Sequence, residues 1–222
     1  MQITSLTPLA QDLVKATALT GTHAFVDDPT TVFLIPNPKK RPNLRHAIEC
    51  YLRLSLLSRN EAYVTSPNCE GVAVWIHSDA TSSMLNTLRA GWPWRPLRCG
   101  LGYVLRDTRS TLHYEKLRRE IAPKPHLYLA VLAVTPEFQG QGFASKLIRP
   151  MLARLDAEGL SAYVETQNLR NVAMYEHYGF VLERKDVMPG SDITMYILIR
   201  PPTTKEPEDV QPEQDPLPNS NN

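Results

Sequence analysis

The residues of this chain best suited to chemistry lie close together in sequence. In Glu137-Phe138-Gln139-Gly140-Gln141-Gly142-Phe143-Ala144-Ser145, two glycines and an alanine let the backbone approach a ligand and present consecutive amides to it. The run before them, Leu127 to Val134, is apolar, of strand length, and stopped by Thr135-Pro136, which cannot continue a ladder. After them, Phe143, Leu147, Ile148, Met151, Leu152 and Leu155 recur at helical spacing up to Gly159. A helix that starts at the carboxyl end of a buried strand gathers unpaired N–H groups and the positive end of its dipole, and Lys146 and Arg149 stand one turn in. This arrangement suits a pyrophosphate and needs no metal. Spacing argues against two other phosphate binders. The nicotinamide fingerprint wants a third glycine where Ser145 stands and an acidic residue about 20 residues on, and a nucleoside-triphosphate loop wants Gly-Lys-Ser/Thr where this chain has Gly142-Phe143.

A second segment extends the pattern. Leu160 to Thr166 reads as another strand, followed by a helix that Asn168 can cap and Gly179 can end. Gln139-x-x-Gly142-x-Ala144, then Asn168 seven residues before Tyr175 and Tyr175 five before Phe180, resemble the GNAT acetyltransferase superfamily. Within it, Leu129 to Val134, Glu165-Thr166, Arg170-Asn171 and Gly71-Val72-Ala73-Val74-Trp75 are most similar to puromycin N-acetyltransferase and its relatives.

The resemblance implies an α/β (α+β) fold, with a largely antiparallel mixed sheet of six to seven strands flanked by helices and splayed between two central parallel strands. It implies acetyl-CoA as co-substrate. The pantetheine would run along Leu132, Ala133 and Val134, and the pyrophosphate would take amides of Gln139, Gly140, Gln141, Gly142, Phe143, Ala144 and Ser145. Asn168 would either bond near the pantetheine or cap its helix. Tyr175 matches the family's usual general acid. A phenol of pKa about 10 and a thiol of about 8.5 differ little, so its hydroxyl can offset charge on the departing sulfur. Many relatives carry a basic carboxylate on the strand corresponding to Leu127–Val134, and this chain has none there. Glu165, at the end of the next strand, is the main candidate for that role, with His126 and His177 behind it. The acceptor would be a primary amine, here expected on a small molecule. A protein lysine or N-terminus, or a non-catalytic acyl-CoA sensor, are the other readings the same motifs allow.

The remaining sequence supplies the elements that position these residues. A chain of 222 residues, 42% of them hydrophobic, can bury one core, so residues 1–200 are expected to form a single domain. Pro201 to Asn222, rich in proline and acid, reads as a disordered tail. The net charge of +1, with Lys39-Lys40-Arg41 the one basic run, argues against nucleic acid as a partner. Cys50, Cys69 and Cys99 lack metal-ligand spacing and cannot all pair, which points to a reducing compartment. No run has membrane-spanning length and the start lacks a leader pattern, so a cytoplasmic protein is expected; the family also allows a homodimer.

Gln2 to Thr7 reads as a first strand, followed by a helix ending near Gly21 and a proline-rich loop. Asn43 opens a long helix, and Ala62–Thr65 and Val72–His77 pair as strands. A short helix over Met84–Ala90, a rigid Trp92-Pro93-Trp94 loop and an amphipathic helix over Thr108–Ile121 follow, and Val181–Val187 and Ile193–Ile199 close the sheet. Phe25 to Asp28 and the tryptophan loop are the segments able to wall an acceptor pocket. Asp27 and Asp28 could attract a cationic amine or simply start the turn before Pro29, and the tryptophans could stack on a flat substrate or anchor their loop.

Overall fold

The computed structural model describes residues 6–58, 60–81 and 83–203. Seven strands form one sheet: β1 (Thr7–Pro8), β2 (Glu61–Val64), β3 (Gly71–His77), β4 (His126–Val134), β5 (Ser161–Thr166), β6 (Val181–Val187) and β7 (Thr194–Arg200). Their order is β1-β2-β3-β4-β5-β7-β6. Every neighbouring pair is antiparallel except β4 and β5, which are parallel. The α-helices are α1 (Val14–Phe25), α2 (Pro29–Leu34), α3 (Leu44–Leu57), α4 (Met84–Arg89), α5 (Arg95–Cys99), α6 (Leu101–Ile121), α7 (Phe143–Glu158) and α8 (Leu169–His177).

Strand alternation sorts the core onto two faces. Ala73 and Trp75 of β3 join Leu147, Ile148 and Met151 of α7 and Val172 and Tyr175 of α8 on one face. Val72 and Val74 join Val14, Ala18 and Leu52 of α1 and α3 on the other. On that second face, Tyr114 and Leu117 of α6 cover Tyr163 of β5 and Ile197 of β7.

In β4 the alternation breaks. Leu127 and Leu129 pack on the α7/α8 face, but further along it is Leu132 that does so, while Val131 and Ala133 pack toward α1 and α3. The register explains the inversion: Trp75 faces Leu129 and Val74 faces Val131, so Ala130 is the extra residue of a β-bulge. The β4–β5 ladder stops at the same level, with Leu129 opposite Val164. Beyond it Glu165 and Thr166 continue to pair with β7, and β4 parts from β5.

The sequence reading is borne out for α3, α7, α8 and the strands from β2 onward, and is corrected in four places. Gly21 does not end the first helix; it lies inside α1, where an added Cβ would come within 3.1 Å of the Ile48 side chain, so its role is close packing of α1 on α3. The expected loop over Thr22–Pro29 is the last turn of α1 followed by α2, with Pro29 at a first-turn position that tolerates it. The amphipathic helix expected from Thr108 begins at Leu101. The first strand is confined to Thr7–Pro8, and residues 2–5 of that expectation lie outside the described residues, as do residues 204–222 of the expected tail.

One buried ion pair fixes α7 to the edge of the sheet. Arg154 donates through both terminal nitrogens to the two carboxylate oxygens of Glu61 on β2, each at 2.7 Å, and Tyr63 and His77 bond the same carboxylate. Burial alone would raise the Glu61 pKa, but these donors outweigh it and bring the carboxyl down to about 2. A folded-state pKa below the unfolded value of about 4.3 gives stability that is present above the unfolded pKa and lost as pH falls toward 2. Glu61→Gln is therefore expected to lower unfolding free energy at pH 7 by about 3 kcal/mol, with the deficit shrinking in acid. Urea titrations at pH 7 and pH 3 measure this, and an unchanged midpoint at pH 7 would show that the pair adds no stability.

Candidate active site

The loop between β4 and α7 has the conformation its glycines suggest. Gly140 and Gly142 take φ of 75° and 81°, in the left-handed region that other residues avoid. Gln139 Nε2 donates to the Val134 carbonyl at 3.0 Å and Gln141 Nε2 to that of Glu137 at 2.8 Å, bracing the loop against the end of β4. Gly142 is the N-cap of α7 and no side chain caps the helix, so the amides of Phe143, Ala144 and Ser145 stand at an open N-terminus. Two cations flank it: Lys146 Nζ lies 4.7 Å from the Phe143 ring centroid, and Arg149 Nε donates to Ser145 Oγ at 2.8 Å. Leu132, Ala133 and Val134 lead into this loop along the part of β4 that has left β5. The exposed residues 139–142 and the helix start thus lie together at the mouth of the splay, an arrangement of the kind that suits an anion.

Tyr175 lies on the same face. It is 5% exposed, packed edge-on against Phe180 at 5.5 Å, and its hydroxyl makes no hydrogen bond among the described residues. Burial, with a smaller contribution from Tyr178, pushes the phenol well above its ordinary pKa, so it stays protonated at neutral pH. Asn168 caps α8 by accepting from the Arg170 amide at 3.0 Å. The other candidates sit elsewhere. His126 is buried at the amino end of β4, far along the strand from the splay, with Nδ1 2.7 Å from the Pro123 carbonyl and a pKa lowered by burial. His177 is exposed on α8 with its ring against Tyr178.

Glu165 points to the opposite face, into a cavity of about 440 Å³. Ala130 and Val131 reach the same cavity, so it opens on β4 where the bulge separates the strands. Tyr163 and Tyr128 donate to the two Glu165 oxygens at 2.8 and 3.2 Å, and Arg118 Nη1 lies 3.6 Å away while stacking 4.1 Å from the Tyr128 ring centroid. Burial pushes the carboxyl up, with Arg118 and the two phenols working against that rise. Asp28 and Trp92 also line the cavity; Trp94, by contrast, is 62% exposed. Asp27 is on the surface, paired with Arg41 at 3.3 Å. Cys50, Cys69 and Cys99 form no disulfide, and no cluster of metal-binding side chains occurs among the described residues. No described helix is long and apolar enough to cross a membrane.

Residues 100–180 match the acetyltransferase (GNAT) family, and they span the strand, the phosphate loop and Tyr175. The family match covers that segment, a little over a third of the chain. An uncharacterized N-acetyltransferase of Schizosaccharomyces pombe is 28% identical over 211 residues, covering 88% of this chain and 82% of that protein. The mycothiol acetyltransferase of Paenarthrobacter aurescens is 37% identical over 82 residues, 35% of this chain and 25% of the relative. A solved structure from Corynebacterium glutamicum, described as histone acetyltransferase HPA2 and related acetyltransferase, shares the fold with a TM-score of 0.65 at 22% identity, over 90% of this chain and 96% of that one. The family match and the N-acetyltransferase relative support an acetyl-CoA-dependent acetyltransferase.

Sequence reasoning singled out the glycine loop, Tyr175 and Glu165 but missed Arg118, Tyr128 and Tyr163 around Glu165. The two tyrosines occupy strand positions of the same facing as Glu165, a signal readable once β4 and β5 are aligned in parallel. Arg118 carries no such signal, because its helix is elsewhere in the chain. Glu165 has a folded pKa above its unfolded value, so it favours folding most at low pH and that contribution fades as pH rises through the folded pKa. Removing Arg118 raises the cost of ionising Glu165. Arg118→Met is expected to destabilise the fold, with the gap to wild type widening from pH 5 to pH 8 in urea titrations; a gap independent of pH would mean that Arg118 acts through packing alone.

Proposed function

We propose that the protein transfers the acetyl group of acetyl-CoA to the primary amine of a small molecule by direct attack through a tetrahedral intermediate. The observation that carries this reading is the parting of β4 from β5 at Ala130, which lies between a phosphate-binding loop on one side of the sheet and a cavity of about 440 Å³ on the other. That volume falls in the range of small-molecule sites, about 300–1,000 Å³.

In the proposed complex, the extended pantetheine lies against Leu132, Ala133 and Val134 as a strand would, and backbone groups rather than side chains recognise it. The pyrophosphate takes amides from Gln139 to Ser145, with Lys146 and Arg149 nearby. The thioester then sits at the splay, with Tyr175 on the cofactor side and the amine arriving from the cavity. Glu165 accepts the proton that the bound ammonium must lose before its amine attacks, through the Tyr128 hydroxyl or a water, its raised pKa making it a stronger base than an ordinary carboxylate. As the intermediate collapses, the protonated Tyr175 donates to the departing sulfur of CoA. Asn168, whose Oδ1 is engaged in its cap, has its amide nitrogen left to bond near the pantetheine. The similarity to puromycin N-acetyltransferase rests on sequence motifs alone, and makes puromycin-like amines the first acceptors to screen.

Thermal unfolding with acetyl-CoA, against NAD and ATP as controls, tests the cofactor site: at about 100 times its dissociation constant a ligand stabilises the fold by roughly 2.7 kcal/mol. A rise with acetyl-CoA alone is expected in wild type and its loss in Gly142→Leu, whose side chain would stand in the loop at positive φ. An equal rise in that variant would refute the phosphate-loop assignment. Tyr175→Phe is expected to lower kcat at least tenfold, about 1.4 kcal/mol in the barrier, while the acetyl-CoA response stays the same. Equal turnover would remove Tyr175 as the acid.

A further inference from the structure

Among the carboxylates that line the acceptor cavity, Glu165 and Asp28 stand under opposite conditions. Glu165 is compensated: both oxygens accept phenol hydrogen bonds and Arg118 stands beside it. Asp28, on the α1–α2 connection, has only neutral donors. The Thr30 amide bonds one oxygen at 2.9 Å and Gln167 Nε2 bonds the other, and Asp28 forms no ion pair among the described residues. An ionised carboxylate half-buried on a cavity wall without a counter-charge is costly, and a cation that brings its own N–H donors is the complement that relieves the cost.

The neighbouring groups fit such a cation. The Thr30 hydroxyl, two residues along from Asp28, is buried on the cavity wall with no partner. Across the cavity, Ser110 and Tyr114, one turn apart on α6 and 7% and 5% exposed, also present buried hydroxyls with no partner. Groups of this kind are normally satisfied in a folded protein, so three of them around one cavity point to a polar ligand there. Phe25, Tyr51 and Trp92 complete the wall with aromatic surface, which attracts both an apolar body and a positive charge. The link to Gln167, just past the end of β5, holds Asp28 near the splay where an acceptor must present its nitrogen.

We infer that Asp28 and the Thr30 hydroxyl form the binding site for the acceptor's ammonium group, so that the protein selects primary amines that arrive as cations on an apolar or aromatic body. The inference rests on reading the cavity as the acceptor site. It separates two roles: Asp28 recognises the cation, and Glu165 takes the proton. It also assigns Asp28 a function beyond capping α2.

The test compares phenethylammonium with 2-phenylethanol, a neutral molecule of nearly the same shape, by calorimetric titration into the full chain. Wild type is expected to bind the ammonium at least tenfold more tightly than the alcohol. Asp28→Asn keeps a residue that caps helices well and removes only the charge, so its preference is expected to vanish while acetyl-CoA still raises its melting temperature. Thr30→Val keeps the amide that bonds Asp28 and is expected to weaken the ammonium at least threefold with the alcohol unchanged; it serves also if Asp28→Asn does not fold. Equal binding of the two probes by wild type, or an undiminished preference in either folded variant, would overturn the assignment. A wild type that prefers the ammonium yet gives no response to acetyl-CoA would uphold the Asp28 site and overturn the transfer reaction.

Discussion

The parting of β4 from β5 at Ala130 is the constraint on which the rest of the structure depends. Two parallel strands that pair over His126–Leu129 and Ser161–Val164 would ordinarily continue to their ends, because a buried strand leaves few polar backbone groups without partners. Here one extra residue tilts β4, and β5 follows β7 instead. The fold tolerates the opening because both strands stay anchored on their outer sides, β4 along all of β3 and β5 along β7. What remains is a wedge in the middle of the sheet between β4 and β5. In the proposed complex the pantetheine occupies the place of the missing ladder.

The bulge also decides which side chains face which compartment. In a regular strand with no bulge, Val131 would lie on the face that Leu127 and Leu129 occupy, and Leu132 on the other. With it, Leu132 turns toward the α7/α8 face that holds Tyr175, and Val131 turns toward the cavity that holds Glu165. A one-residue change of register moves a whole set of side chains across a sheet, so the bulge sets the lining of both compartments together.

How much of this was legible in the sequence follows from how local each signal is. The β4–α7–β5–α8 unit was readable because each of its signals acts over a few residues: an apolar run, glycines that need positive φ, a periodic helix with Gly159 as its left-handed cap, and Asn168 capping the next helix. The position of Tyr175 was readable from spacing within that unit. The acceptor cavity was not, because its walls are assembled from α1, α2, α3, α6 and β5, and the contact between Asp28 and Gln167 joins residues 139 apart in the chain. Gly21 shows the same limit on a smaller scale: a glycine that ends a helix and one that admits Ile48 from a neighbouring helix look alike until the neighbour is placed. The bulge itself leaves no mark in Leu127–Val134, since every residue there is apolar and the inversion at Ala130 changes no residue type.

The distribution of charge across the sheet supports one direction for the reaction. Lys146, Arg149 and an uncapped helix N-terminus lie with the phosphate loop, whereas Asp28, Asp107, Glu115 and Glu165 line the opposite cavity with Arg118 as the single lysine or arginine among its lining residues. A net charge of +1 conceals this separation, because the two sets nearly cancel in the sum. An anionic cofactor and a cationic amine are each attracted to one side and disfavoured on the other, so electrostatics sorts them before any specific contact forms. The pairing of Arg118 with Glu165 then has a definite effect. It compensates the carboxylate beside the splay, whereas Asp28 is held by neutral donors, so in the proposed complex the ammonium is drawn to Asp28 and Glu165 takes its proton.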